Sequence, residues 1–374
     1  TLACSASMAG ANTGPPDAAK ARMRARIADD RLGEEARSTC RLSLAQLLIQ
    51  NGELAAADAQ VQAAWPHIEA RGADAWRERA RVVAMQTYLR ANGHGAGSDT
   101  RVQEMLDMLK ALGRDRNTVA FGLWNTWGTL AMVSGEPAKA IERYGAVTRL
   151  TEQDYGAEGN APYNLNMLAT AHIAFGSLDD SARLLETAAL RARRTGDGAM
   201  LFTAACLRGR VAALQGQAAA AEAWFAQAGA VPDRGEPLRR NVQPFCDLAR
   251  AEAAVLQGQA EKALGLLDRW VSAGVPPSIR LSGQLVLAEV QLALKRTDDA
   301  LATATHAVAT ARGLQADNRH SARTGQALML QALAEQQRGD ANAALRHQVE
   351  AAAHLHATVH ASQRWRLMSA AAAR

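Results

Sequence analysis

Apolar residues from about Ala18 to the end of the chain recur at three- and four-residue spacing, the period of one face of an α-helix. These stretches are rich in Ala, Leu, Arg, Glu and Gln, and single Gly residues or Asn-Gly and Gly-Asp pairs interrupt them every 15–22 residues. Gly adopts the left-handed backbone that ends a helix, so each break reads as a turn between helices. No segment alternates Val, Ile or Thr with polar residues as a half-buried strand does. The pattern predicts an all-α chain.

The breaks repeat. A Gly is followed five residues later by Ala at Gly52/Ala57, Gly135/Ala140, Gly216/Ala221, Gly258/Ala263 and Gly339/Ala344, with weaker copies at Gly93/Ser98, Gly176/Ser181 and Lys295/Ala300. The anchors at 52, 93, 135, 176, 216, 258, 295 and 339 lie 41, 42, 41, 40, 42, 37 and 44 residues apart. Seven residues before them stand Ala45, Gln86, Gly128, Ala169, Gly209, Ala251, Ala288 and Ala332. Antiparallel helices approach within about 8–10 Å only where side chains are small, so these positions are expected at helix crossings. Leu48, Leu89, Leu130, Val211, Val290, Tyr144, Leu185, Phe225 and Leu267 are expected to fill the space between.

Small residue in a first helix, Gly at the turn, Ala five later, a large residue four beyond (Tyr144, Leu185, Phe225, Leu267) and Ala again resembles the tetratricopeptide repeat, or TPR. The run Trp127-Gly128, Gly135-Glu-Pro-Ala-Lys-Ala140 and Tyr144 carries the likeness most fully, and it extends over about residues 36–358. The period near 41 exceeds the usual 34 of the family, which implies lengthened loops or helices. The resemblance implies a right-handed α-solenoid of about eight TPR-like helix hairpins over residues 17–358, after a flexible lead-in at 1–16 and before a capping segment at 359–374. Leu123-Trp-Asn-Thr-Trp-Gly128, and Ala161-Pro-Tyr-Asn-Leu-Asn166 running into Asp179-Asp-Ser-Ala-Arg183, are also similar to the repeat region that follows the catalytic domain in proteobacterial serine/threonine kinases and related multidomain regulators. No glycine-rich kinase loop, V-A-I-K lysine, H-R-D or D-F-G segment is present.

The net charge is +5, from 42 Lys plus Arg against 37 Asp plus Glu, dispersed along the chain without runs. No basic stripe with interleaved aromatics points to nucleic acid. No apolar run approaches the roughly 18 residues of a membrane-spanning helix, so no membrane insertion is expected. Cys4, Cys40, Cys206 and Cys246 lack C-x-x-C spacing and read as free thiols. Thr1-Leu-Ala-Cys4 has the outline of a lipoprotein cleavage site without its hydrophobic segment. The compartment is open: the cytoplasm is favoured, with a periplasmic or membrane-tethered protein as the alternative.

Phosphate-cradling, dinucleotide, H-E-x-x-H, calcium-loop and nucleophile-elbow motifs are absent from the sequence, so no catalysis, cofactor or metal is expected. Asp29-Asp30, Glu34-Glu35 and Asp179-Asp180 fall where carboxylates favour helix starts. His356 and His360 have the helical ligand spacing, within a C-terminal group that includes His347 and His354, but no acid or thiol adjoins them in sequence. They read as solvated residues and His172 as a packed one. Trp65, Trp124, Trp127, Trp224 and Trp270 read as packing, and Trp365 as a cover for the end of the array.

The tetratricopeptide resemblance implies a concave face lined by first helices, suited to an extended peptide or partner helix. Its lining registers fall ten and six residues before each turn, which selects Asn125, Thr129, Asn166, Thr170, Arg210, Glu252 and Glu289, with Tyr163 beside them. Asn125 and Asn166 would hydrogen-bond an extended backbone, Tyr163 would stack, and Arg210 would pair with a carboxylate. The Lys, Asn and Arg set by which chaperone-tail receptors of that family clamp a C-terminal carboxylate is not matched, since Thr129, Met167 and Leu207 stand there. The resemblance thus implies a non-catalytic protein- or peptide-binding scaffold or sensor of a bacterial regulator, with a homodimer left open; the alternative is the regulatory region of a serine/threonine kinase.

Overall fold

The structure, a computed structural model, describes residues 16–95, 97–232, 237–272, 274–315 and 318–372. The expected lead-in, with Cys4, therefore lies outside the described residues except for Pro16, as does the side chain of Trp365. Eighteen α-helices and three short 3-10 turns, with no strand, make up the secondary structure among the described residues. The chain divides into two compact units, residues 1–130 and 131–374.

The first unit contains α1 (Pro16–Ile27), α2 (Glu34–Gln50), α3 (Leu54–Ala70), α4 (Trp76–Ala91), α5 (Asp99–Ala111) and most of α6 (Thr118–Ser134), which runs across the division. The second contains α7 (Pro137–Tyr155), α8 (Pro162–Phe175), α9 (Leu178–Thr195), α10 (Gly198–Leu214), α11 (Ala218–Ala230) and α12 (Pro237–Leu256). It continues through α13 (Ala260–Leu267), α14 (Pro277–Ala293), α15 (Thr297–Gln315), α16 (Ala322–Arg338), α17 (Ala341–Thr358) and α18 (Ala361–Ala372). Each unit is a series of antiparallel hairpins.

All eight anchors of the repeat are helix-terminating turns. The seven Gly anchors have φ between 74° and 105°, and Lys295 has φ 59°, the single non-Gly residue of positive φ among those described. After each anchor the next N–H reaches back to the carbonyl five residues earlier, from Glu53 to Leu48 through Arg296 to Gln291 and Asp340 to Glu335, at 2.8–2.9 Å. This closure satisfies a terminal carbonyl that the helix leaves open. It is the local reason the chain reverses at that point.

The small residues meet where expected. Ala45, Ala169, Ala251, Ala288 and Ala332 are 0% exposed, and so are Ala57, Ala140, Ala221, Ala263 and Ala300 on the second helices. At Gly209 an added Cβ would lie 2.7 Å from the Phe225 ring, so this crossing accepts nothing larger than Gly. Leu89, Leu185 and Leu267 are 0% exposed and Tyr144 1%; burying each such side chain contributes about 1.5–3 kcal/mol. The weak copy at Gly93 differs: buried Gln86 stands at its crossing and accepts from Arg101 at 2.9 Å, and Ser98 caps α5 by accepting from the Arg101 N–H. The tryptophans pack as expected. Trp124 and Trp127 rings lie 5.3 Å apart, Trp127 Nε1 donates to Asp99 at 2.9 Å, and Trp270 Nε1 to Asp247 at 3.1 Å.

The second unit turns back on itself. The Ala322 N–H at the start of α16 donates to the carbonyl of Gly135 at 2.8 Å. From the other end, the His360 N–H donates to Phe175 O at 3.0 Å and Ser362 Oγ to Gly176 O at 3.3 Å, which seats the start of α18 on the turn after α8. With its ends joined in this way, the second unit is not an open row of hairpins, and the inner side of its first helices α8, α10, α12, α14 and α16 is the candidate binding interior.

The cysteine expectation is corrected. Cys206 on α10 and Cys246 on α12 form a disulfide with Cα atoms 5.2 Å apart, and Cys40 is also disulfide-bonded. The physical reason is the repeat: a sequence separation of 40 is one period, so the two thiols occupy facing positions on adjacent first helices.

Candidate binding interior of the second unit

Asn125 and Thr129 stand half-buried on α6 in the first unit, where the Thr129 hydroxyl donates to its own helix at Asn125 O, 3.0 Å away. The other residues selected by register lie in the second unit. Tyr163 is 42% exposed in the first turn of α8. Asn166 is 2% exposed and its Nδ2 donates to Met200 O at 3.2 Å, bracing α8 against α10; its Oδ1 is buried with no hydrogen-bond partner. Thr170 donates to Asn166 O at 2.8 Å.

Arg210 on α10 and Glu252 on α12, both six residues before their turns, form an ion pair with Nε and Oε2 2.6 Å apart. The carboxylate expected as a ligand's is therefore supplied by the neighbouring repeat. Burial disfavours the charged form of both, but the Glu252 charge, with that of Glu289, outweighs it at Arg210 and raises its pKa. For Glu252, burial is likewise outweighed by Arg210 and Arg366, and its pKa is lowered. Arg210 nonetheless keeps 31% of its side-chain area accessible. A group deep among protein atoms yet reachable by solvent lines an internal space rather than a packed core.

Two basic residues complete this interior, neither of them in the selected registers. Arg366, on α18, places Nη1 3.9 Å from Glu252 Oε1, so one carboxylate sits between two guanidinium groups. Arg323, in the first turn of α16, donates to Ser278 O at 3.2 Å and to Ser282 Oγ on α14. Burial and the Arg210 charge push its pKa down to about 10. The like charge of Arg210, three hairpins earlier in the chain, thus bears on Arg323. The one sequence signal for Arg323 was its place: a cation in the first helical turn faces the positive end of the helix dipole.

The acids Asp179 and Asp180 lie in the first turn of α9, and Glu34 and Glu35 in that of α2, where the helix dipole favours a carboxylate, but neither helix has a side-chain capping hydrogen bond. His347 Nδ1 lies 2.8 Å from Glu335 Oε2, His354 is buried and accepts the Ser321 N–H at Nδ1, 3.1 Å away, and His360 Nδ1 contacts Ser362 Oγ at 2.8 Å. His347 and His354 are thus packed rather than solvated, while His356 is exposed. His172 is half-buried, and desolvation lowers its pKa against the opposing pull of Asp180. No group of three or more potential ligands converges to hold a metal ion among the described residues. No helix among them is long and apolar enough to cross a membrane.

A separate crevice of about 300 Å³ opens between α9, α10 and α11, where the Arg208 guanidinium lies 3.7 Å from the centroid of the Trp224 ring.

No family model and no curated protein matches the chain. Among solved structures, that of Rap protein complexed with competence and sporulation factor is similar at 12% identity and a TM-score of 0.53, covering 89% of this chain and 93% of that one. Yeast Tom70 aligns at 11% identity over 100% of this chain and 95% of its own, with a TM-score of 0.30, too low to bear on the fold. The similarity to the Rap structure is one of fold alone. The chain has an all-α, tetratricopeptide-type helical solenoid fold.

Proposed function

We propose that this protein is a non-catalytic binding module whose second unit holds a segment of a peptide or protein partner in the space enclosed by its first helices. The observation that carries the reading is the exposure of the Arg210 side chain within that enclosure, beside Glu252 and Arg323, where a packed solenoid would have only apolar contacts. A protein of similar fold is seen complexed with a competence and sporulation factor, which is compatible with this use. The reading as a kinase regulatory region has no observation in its favour and is not carried further.

Thr170 shares the register of Arg210 and Glu252, and its hydroxyl serves only its own helix, so Thr170→Trp fills the interior with little loss of structure. Random dodecamer peptides are selected by display on the full chain, and affinities of the enriched peptides are measured by fluorescence anisotropy. Peptides that bind wild type and lose affinity to Thr170→Trp at unchanged helix content are the expected result. Failure to enrich any peptide, or equal affinity for both proteins, would overturn the proposal.

A further inference from the structure

Among the described residues, Arg323 has no acidic partner. Its partners are a carbonyl and a hydroxyl on α14, although a guanidinium has five donors arranged to grip a carboxylate in two parallel bonds. A neutral amide such as Gln would make two such hydrogen bonds without desolvating a charge. The cation is held despite three opposing influences: burial, the like charge of Arg210, and the positive end of α16.

The surrounding charges make the same point. Glu252 already serves Arg210 and Arg366, and Glu289 acts on Arg210. Among the described residues, Arg210 and Arg366 thus have Glu252 as a charge partner, and no ion pair reaches Arg323. The charge that bears on Arg323 among the described residues is the like charge of Arg210.

We propose that the interior of the second unit recognises an acidic peptide, one of whose carboxylates docks on the Arg323 guanidinium against Ser282 and α14. This rests on the reading that the interior binds peptides, and it assigns the chemical class of that ligand. A carboxylate fits the planar donor fork better than a point charge would, and it would offset the like charge of Arg210 at Arg323. A peptide carrying Asp, Glu or a free C-terminus meets this need; a basic or wholly apolar one does not.

The experiment repeats the dodecamer display with the full chain and with Arg323→Gln, Arg323→Lys and, as a surface control, Arg338→Gln. Enrichment of Asp and Glu on wild type, reduced by about tenfold or more in affinity by Arg323→Gln, is the expected result. Arg323→Lys should recover part of the loss and Arg338→Gln should show none. A second measurement needs no variant: phenylglyoxal labelling of Arg323 in wild type, read by mass spectrometry, should be slowed by the best acidic dodecamer and not by its Gln and C-terminally amidated counterpart. Peptides enriched without regard to charge, or labelling slowed equally by both peptides, would overturn the acidic assignment and leave peptide binding standing. If no peptide is enriched at all, the reading of the interior as a peptide site fails, and the assignment falls with it.

Discussion

The amide of Ala322 donates to the carbonyl of Gly135 at 2.8 Å, joining the first turn of the second unit to the start of its last hairpin. The contact is close because Gly135 has no side chain. A Cβ there would collide with Ser321 Oγ and lie 3.0 Å from the Ala322 nitrogen, at a φ of 82° that other residues rarely adopt.

Gly135→Ala is therefore expected to destabilise the second unit by about 1–2 kcal/mol from the left-handed backbone alone, with the steric conflict added. The same substitution at Gly216, where a Cβ meets nothing within 4 Å at φ 74°, isolates the backbone part. Urea unfolding of the two variants should rank Gly135→Ala below Gly216→Ala; equal midpoints would show that the Gly135–Ala322 junction does not contribute.

Lys295 occupies the turn position that Gly fills in the other seven repeats. Left-handed backbone costs a non-Gly residue about 1–2 kcal/mol, while Gly adds about 0.5–1 kcal/mol of unfolded-state entropy. Lys295→Gly should then stabilise by about 0.5–1 kcal/mol, read as a higher urea midpoint at constant slope. A lower midpoint would show that the Lys side chain makes a compensating interaction.

The Cys206–Cys246 bond closes a loop with sequence separation 40. Loop-closure entropy for a chain of that length is about 4 kcal/mol, and native disulfides typically deliver 2–4. Paired replacement of Cys206 and Cys246 by Ser should lower stability by about 3 kcal/mol while leaving helix content at neutral pH. Because such bonds persist in oxidising compartments, unreduced peptide mapping of protein recovered from its native compartment tests the bond directly; finding two free thiols there would contradict it.

Acid should loosen the C-terminal hairpin. His354 accepts the Ser321 N–H at Nδ1, which requires a neutral ring. Burial lowers its pKa, Glu350 opposes the shift, and His320 and Arg312 reinforce it. A His with a depressed folded pKa contributes stability above its unfolded pKa, about 6.5, and loses it as pH falls through the folded value. Thermal unfolding from pH 7 downward should thus fall more steeply for wild type than for His354→Gln, whose amide oxygen can still accept. Parallel curves would rule this out.

How far the candidate site could be read in advance follows from the same repeat. Arg210 and Glu252 share a register, and their pairing to each other follows only once equal registers on adjacent first helices are known to face one another. Cys206 and Cys246 carry that same signal, one repeat apart rather than at the short spacing of a C-x-x-C pair. Asn166 was selected as a ligand contact, yet it braces α8 on the Met200 carbonyl, because a register states which way a side chain points and not what it meets.

The periodic small residues and turn positions are local instructions. Gly at positive φ and Ala at a crossing act through their own backbone and nearest helix, so the all-α class, the eight turns and the hairpin crossings follow from residue order alone. Closure of the second unit is of another kind. Small rotations between successive hairpins add up until Ala322 meets Gly135 and α18 returns to the turn after α8. Arg323, Arg210 and Arg366 meet through that accumulated geometry, and no spacing within one repeat encodes it.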